Sequence, residues 1–408
     1  METPIFEKVV ARQPILNRKQ ITIGYELLFR ERPKDTTFVK GMNGTKATVN
    51  VINSLLSIGL VNITGYKKCF INFPRELLLE KYFQLLPKEI LVIEILEDIF
   101  VDEKVIEVCQ RAKKKGFVFA LDDFFLRDEI KPLIEIADII KIDLKTPPSK
   151  KVIRCLKEKK KVLLAEKVET LEEFNGYLQM GFDYFQGFFF SQPQVISVKD
   201  IPPYKINLLR LMKKLQKDTK MERIAEIISQ DLSLSIKLLK YINSAFFALR
   251  FRVSSVHRAA AILGELELKK WLMLVLISEI GVDRPSELIV QSTLRAKFCE
   301  FIAQRLRGKT LGYEAFTVGM FSLINVILQR PMEEVLEEIG LADEIKKALI
   351  EKSGLLYEIL EIVTSYERLD LNRLVRLLEK IKIPFIEIEN LYIKALLWTN
   401  KLFNIPPV

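Results

Sequence analysis

Histidine is nearly absent. The chain holds one, His257, in 408 residues. That excludes zinc sites built from several histidines and allows at most one histidine base, so a metal here would be held mainly by oxygen. Cysteine is scarce as well. Cys69, Cys109, Cys155 and Cys299 stand far apart, without zinc-knuckle or redox spacing, and read as buried reduced thiols. Long apolar runs are lacking. Stretches such as Trp271 to Ile277 fall far short of the roughly 20 residues that cross a bilayer. The first residues, METPIFEKVVARQ, are too charged for a signal peptide. These absences point to a cytoplasmic protein that makes no use of a membrane.

What is present fits a soluble globular chain, with 49% apolar and 28% charged residues. The length exceeds what one hydrophobic core usually serves, so two domains are expected. Net charge is +10, yet Lys and Arg are interleaved with Glu. The densest basic runs, Lys113–Lys115 and Lys157–Lys161, read as solvated helix ends leading into apolar strands. Nucleic acid is therefore not an expected partner. The abundance of Lys, Glu and Ile also suits a thermophile.

Along the first half, short apolar runs alternate with amphipathic stretches. The runs are Ile21–Phe29, Cys69–Phe73, Ile90–Ile95, Phe117–Leu121, Ile139–Ile142, Val162–Ala165 and Tyr184–Phe190. Their Ile, Val and Phe content reads as buried strands. Helices are expected between them, for example over Lys104–Lys115 and Leu171–Met180, with Lys115-Gly116 and Met180-Gly181 as stops. Strand–helix units about 20 to 30 residues apart suggest a parallel α/β fold, and at this length a (β/α)₈ TIM-like barrel. Ser191–Tyr204, with Pro193 and Pro202-Pro203, breaks the pattern and reads as a linker. Beyond it the period is helical throughout. Leu208, Leu211, Met212 and Leu215 share one face, as do Leu234, Leu238, Leu239 and Ile242, so an all-α helical domain follows. The expected division is a barrel over residues 1–195, a linker over 196–204 and a helical domain over 205–408.

Polar residues recur where the apolar strands end. Asn72 follows Cys69–Ile71, Glu94 sits within Val92–Ile95, and Asp122 and Asp123 follow Ala120-Leu121. Lys141 and Asp143 lie in the next strand, Glu166 follows Ala165, Gln186 follows Tyr184-Phe185, and Glu26 lies within Tyr25–Phe29. In a parallel barrel the strand C-termini converge on one rim, so these residues would meet. Clustered carboxylates in a semi-buried mouth repel one another and lose hydration, which divalent cations relieve. Two such ions, about 3.5–4 Å apart, can join an activated water to a phosphate oxygen. Lys141 could then steady a developing negative charge and Gln186 could orient water. Any one of these residues could equally be an ordinary solvated strand end. The consistent placement of the whole set favours a common site.

At this point the first half resembles the EAL family of cyclic-di-GMP phosphodiesterases. The ExLxR motif reads Glu26-Leu27-Leu28-Phe29-Arg30, and the asparagine motif Ile71-Asn72-Phe73. E-x-T-E appears as Glu94-Ile95-Leu96-Glu97, DDF as Asp122-Asp123-Phe124, and KID as Lys141-Ile142-Asp143. A-E-G-V-E becomes Ala165-Glu166-Lys167-Val168-Glu169, and QG is Gln186-Gly187. The match spans about residues 8–193. The resemblance implies metal-dependent hydrolysis of one phosphodiester of cyclic-di-GMP, giving linear pGpG, with two Mg²⁺ or Mn²⁺ ions. It makes Glu26, Asn72, Glu94 and Asp122 ligands of the first metal. Asp123 and Glu166 serve the second. Lys141, Glu166 and Gln186 act at the reacting centre, Arg30 and Asp143 on the substrate side, and Glu97 and Glu169 in support. The chain departs from the family at Phe124-Phe125-Leu126-Arg127, where a glycine-rich loop is usual. It departs again at Lys167 for glycine, at Leu96 for threonine, and at Glu31-Arg32-Pro33, which lacks the usual substrate-side motif.

The second half resembles the HDOD domain, a helical relative of HD-type phosphohydrolases that lacks their metal site. The likeness runs from about Tyr204 towards residue 400. It is best in Ser235–Leu239, Ile242-Asn243-Ser244-Ala245, Ser254-Ser255-Val256, Ile262-Leu263-Gly264 and Trp271. His257 is followed by Arg258 rather than Asp. Asn243-Ser244 reads as a helix-terminating pair. The resemblance implies protein partners for this domain and leaves room for a homodimer. Three functions stay open on the sequence: hydrolysis of cyclic-di-GMP under HDOD output or control, a non-catalytic or weakly catalytic cyclic-di-GMP receptor, and an interaction scaffold.

Overall fold

The structure is a computed structural model. It describes residues 8–31, 59–96, 99–122, 130–145, 147–188, 190, 203–216, 219–244 and 246–403, without the side chains of 8–10, 29–31, 203 and 215–216. Apart from the turn Leu369–Leu371, the chain divides into two compact units, one ending at Gln192 and one starting at Pro193.

The first unit is a closed barrel of eight strands in chain order. They are β1 (Lys8–Asn17), β2 (Thr22–Glu31), β3 (Lys68–Asn72), β4 (Leu91–Ile95), β5 (Val118–Leu121), β6 (Ile139–Asp143), β7 (Val162–Glu166) and β8 (Tyr184–Gln186). The barrel expectation holds with one change. β1 runs antiparallel to both β2 and β8, while the other neighbours pair in parallel. The turn between β1 and β2 is too short for anything else, because a parallel return needs a crossover. Asn17 pins that turn, its Oδ1 accepting from the amides of Lys19 at 2.9 Å and Ile21 at 3.0 Å. The apolar-run reading passed over β1 because Arg12, Gln13 and Pro14 interrupt it.

Strand periodicity then builds the interior in layers. Ile15, Phe70, Val92, Ala120, Ile139 and Leu164, one from each of six strands, form a buried cluster, with Ile23 and Tyr184 packed against it. Gly24 supplies the room, since a Cβ there would meet Lys68 O at 2.8 Å and the Phe70 ring at 3.0 Å. Side chains alternate along a strand, so the residue two further on faces the same way. Two beyond Phe70, Val92, Ala120, Ile139, Leu164 and Tyr184 stand Asn72, Glu94, Asp122, Lys141, Glu166 and Gln186. The polar set is thus the next layer of the barrel, laid directly on the apolar one.

Outer helices follow the expected breaks. Glu103–Lys114 is capped by Asp102, whose side chain accepts from Val105 N. Leu171–Gln179 opens with a capping box of Thr170 and Glu173. Cys69 and Cys109 are buried, but Cys155 is exposed on the helix Lys150–Glu158, against the reading of all thiols as buried.

The second unit is helical among its described residues. Its first helix, Pro203–Gln216, starts inside the segment read as linker, proline being tolerated in a first helical turn. Leu209 and Met212 are buried there, with Leu208 and Leu211 half-buried beside them. Leu234, Leu238 and Ile242 form the buried face of Leu232–Ile242 as expected. Asn243 closes that helix, donating to Leu239 O and Val253 O at 2.7 Å and accepting from Val253 N at 2.8 Å. The long helix Ser286–Arg307 packs against Lys309–Phe321 and Phe385–Phe403. The stretch Lys309–Leu328 does reach the length and mean hydropathy of a membrane span, which the apolar runs did not suggest, but most of it is buried within this unit. His257 is exposed in the first turn of Val256–Leu263.

Candidate functional site

The polar layer centres on Lys141. This lysine has no exposed surface and projects from the middle of β6. Its Nζ lies 2.7 Å from Glu94 Oε1, 2.7 Å from Asp122 Oδ1, 3.0 Å from Glu166 Oε1 and 3.3 Å from Glu26 Oε2. The four carboxylates come from β4, the end of β5, β7 and β2, so barrel closure alone gathers them. Parallel register sets Asn72 beside Glu94 and Asp143 beside Glu166.

Glu26 is the hub of the amides. Gln186 Nε2 donates to Glu26 Oε2 at 2.6 Å, and Asn72 Nδ2 lies 3.5 Å from Glu26 Oε1. Gln186 also donates to Gln13 Oε1 at 2.9 Å. Gln13 was not singled out from the sequence. It sits opposite Glu26 on β1, two residues before Ile15, and because β1 runs backwards that places it in the polar layer. Recognising β1 as an antiparallel strand was the missing signal.

The remaining candidates lie around this cluster. Asp143 stands higher on β6, where its Oδ2 meets Lys167 Nζ at 2.5 Å and its Oδ1 accepts from Lys145 N at 2.8 Å. Burial raises the Asp143 pKa, but these contacts outweigh it and hold the carboxyl below its ordinary range. Lys167 takes a left-handed φ of 57° directly after Glu166, a region that non-glycine residues enter at a cost. Gly187 follows Gln186 with φ 151°, and a Cβ there would fall 2.0 Å from Val168 O, so only glycine fits. Glu169 is exposed ahead of the helix Leu171–Gln179, and its amide donates to Glu173 Oε2. Arg30 lies on β2 opposite Val9, with its side chain outside the described residues. Asp123, Glu97, Arg32, Pro33 and the segment Phe124–Arg127 also lie outside them.

The electrostatics are lopsided, with four carboxylates facing one ammonium. Burial, then repulsion from Glu26, drives the Glu94 pKa well above its ordinary value, against the pull of Lys141. Burial likewise lifts Glu166 to about 7. Burial lowers the Lys141 pKa, but the surrounding carboxylates more than reverse this, so it stays protonated.

Among the described residues, no group of three or more His, Cys, Asp and Glu forms a ready metal cage; the carboxylates converge on the Lys141 ammonium instead. The donor chemistry nevertheless suits a hard cation. Asn72 Oδ1, Glu94 Oε2, Glu166 Oε2 and Gln186 Oε1 are buried and accept no hydrogen bond. Such orphaned oxygens are costly unless something electropositive meets them. An all-oxygen set of carboxylates and amides favours Mg²⁺, Mn²⁺ or Ca²⁺ over softer metals.

Both units match known domain families. Residues 52–193 match the model of the EAL domain, and residues 201–362 that of the HDOD domain. The chain is 37% identical over 372 residues to the uncharacterized protein YuxH of Bacillus subtilis, covering 88% of this chain and 90% of that one. It is 33% identical over 376 residues to the cyclic di-GMP phosphodiesterase CdgJ of Vibrio cholerae, covering 90% and 87%. Among solved structures, the EAL-domain protein YkuI of Bacillus subtilis, in complex with c-di-GMP and calcium, is 20% identical. That likeness covers 64% of this chain and 73% of that one, with a TM-score of 0.38. With identity of this order carried through both units, the chain belongs to the family of proteins that join an EAL domain to an HDOD domain.

Proposed function

We propose that the barrel hydrolyses cyclic-di-GMP to linear pGpG in a divalent-metal-dependent reaction, with the HDOD unit as its output or regulatory module. The observation that carries this reading is the convergence of Glu26, Glu94, Asp122 and Glu166 on one buried rim, with orphaned acceptor oxygens among them. The relative CdgJ, named as a cyclic di-GMP phosphodiesterase, supports it. The working division is a barrel over residues 1–195, a link over 196–204 and a helical domain over 205–408, in a cytoplasmic protein.

On this reading Glu26, Asn72, Glu94 and Asp122 would hold a first Mg²⁺ or Mn²⁺, and Asp123 and Glu166 a second. When bound, such ions neutralise the carboxylates, activate water and polarise a phosphate oxygen. The chain's own groups do the rest. The Lys141 side chain is buried at a fixed position, so its ammonium stabilises negative charge developing on the phosphate without cost of reorganisation. Gln186, held by Glu26 and Gln13, fixes the orientation of its amide towards the reacting centre. Arg30 and Asp143 serve the substrate side, and Glu97 and Glu169 support the rim. Protein partners dock on the helical unit.

The test is incubation of the purified protein with cyclic-di-GMP and Mg²⁺ or Mn²⁺, with products resolved by chromatography. Metal-dependent pGpG is the expected result. Saturable binding without product would make the barrel a receptor. Neither binding nor product would leave an interaction scaffold.

A further inference from the structure

We propose that the barrel carries a second site, at the end opposite the carboxylates, that binds the phosphate groups of a small soluble ligand. A cavity of about 320 Å³ opens beside the 3-10 turn Tyr82–Leu85 and the last turns of the helix Glu103–Lys114. Lys81, Arg111, Lys114 and Lys115 line it with Gln84, and Phe83, Val108 and Ala112 supply its apolar part. No carboxylate lines it.

The cations there are poorly compensated. Among the described residues the ammonium groups of Lys81, Lys114 and Lys115 have no hydrogen-bond or ion-pair partner. Arg111 pairs with Glu107 one turn back, but both side chains are mostly exposed. Such a pair contributes little and yields readily to a phosphate, whose oxygens match the guanidinium fork. Lys88 brings a further positive charge to the edge, its Nζ donating to Lys115 O at 3.1 Å.

The bland account is that basic residues at a helix C-terminus complement its dipole. That covers Lys114, and it covers Lys113, which pairs with Asp138. It does not cover Lys81, which arrives from a separate element and faces the same acid-free cavity. Like charges gathered around a recess raise its potential and draw in anions. The volume is at the lower end of small-ligand sites, roughly 300–1,000 Å³.

The position separates this site from the catalytic rim. The helix leads through Lys115, Gly116 and Phe117 into the start of β5, and Lys88 lies just ahead of β4. Glu94 and Asp122 stand at the far ends of those strands. At about 3.3 Å per residue, the six residues from Lys88 to Glu94 put the two sites roughly 20 Å apart. A phosphate held here is therefore distinct from one being cleaved, and the proposal does not depend on the barrel's activity.

The test is calorimetric titration of inorganic pyrophosphate into the full chain without divalent metal. One saturable site is expected. The triple variant Lys81→Gln/Arg111→Gln/Lys115→Gln should raise Kd at least about tenfold, since charge-assisted contacts are the stronger ones. Its melting temperature should match the parent, because the altered side chains are exposed. Lys150→Gln/Lys151→Gln, on an exposed helix start elsewhere, should bind like the parent. Linear, unsaturable heats, or equal loss in both variants, would reduce the effect to diffuse attraction and overturn the proposal. So would undiminished binding in the triple variant. Capture on phosphatidylglycerol vesicles through these residues, without saturable pyrophosphate binding, would make this a membrane-facing patch and overturn it as well.

Discussion

Each unit buries a cluster of charges, and the two clusters are composed differently. In the helical unit Glu300, almost wholly buried, accepts from Lys270 at 2.5 Å, Lys297 at 2.8 Å and Gln304 at 2.9 Å. Lys270 also meets Glu267 at 2.7 Å, and Lys297 lies 4.8 Å from the ring centres of both Phe301 and Trp398. Two buried lysines share the buried Glu300, the half-exposed Glu267 supplies the second negative charge, and each cation has a partner within the unit. In the barrel one lysine faces four carboxylates, and several acceptor oxygens have no donor. A balanced buried network serves structure. An acid excess that the fold leaves uncompensated is a site for something brought from outside.

The largest expected effect comes from the barrel side. Glu94→Gln keeps the shape of the side chain and removes its charge, so turnover of cyclic-di-GMP should fall on the order of 10²–10⁴. Thermal stability without metal should hold or rise, because one repelling carboxylate is gone. Parent-like turnover in this variant would break the comparison.

The matching change in the helical unit should do the reverse. Glu300→Gln leaves Lys270 and Lys297 buried without their shared counter-charge, and should cost about 3–5 kcal/mol of stability. Chemical denaturation measures this, and metal affinity of the barrel should not change. A loss under about 1 kcal/mol would show that the helical network is not closed as described.

A pH titration sharpens the contrast. Glu166 has its folded pKa raised to about 7 from an ordinary 4.5, so without metal the fold retains a proton that the unfolded chain releases. Its stabilising contribution is whole below the lower value and is lost as pH rises through the upper one. Across that window the metal-free protein should lose on the order of 3 kcal/mol relative to Glu166→Gln. Parallel stability–pH curves for the two proteins would contradict the assignment.

The smallest effect is at the rim. Lys167→Gly relieves a left-handed backbone worth about 1–2 kcal/mol while losing the Asp143 pair, worth about 0–1 kcal/mol. Melting should therefore move little, or slightly upward. A clear drop would mean that the pair holds the mouth together.

Much of this arrangement was legible because strands alternate. Once Val92 or Ala120 is read as core, Glu94 and Asp122 must share their direction, and barrel closure brings them together. Gln13 was hidden because Arg12 and Pro14 break the apolar run that would have marked β1. Nothing local in the sequence announces that a strand runs backwards. Lys141 was placed on the rim, but not as its buried centre. Only the three-dimensional convergence of four carboxylate-bearing strands explains why a lysine can be wholly buried there. The basic run Lys113–Lys115 was correctly placed at a helix end, but Lys81, distant in sequence, is what turns that end into a pocket.

The central claim is that the barrel's acid excess is a cation site while the helical cluster is complete. Calorimetric titration of Mn²⁺ into the full chain, beside Glu94→Gln and Glu300→Gln, tests it most directly. The account predicts saturable binding in the parent and in folded Glu300→Gln, with affinity at least about tenfold weaker in Glu94→Gln. Equal affinity in all three proteins, or no saturable binding in the parent, would contradict it.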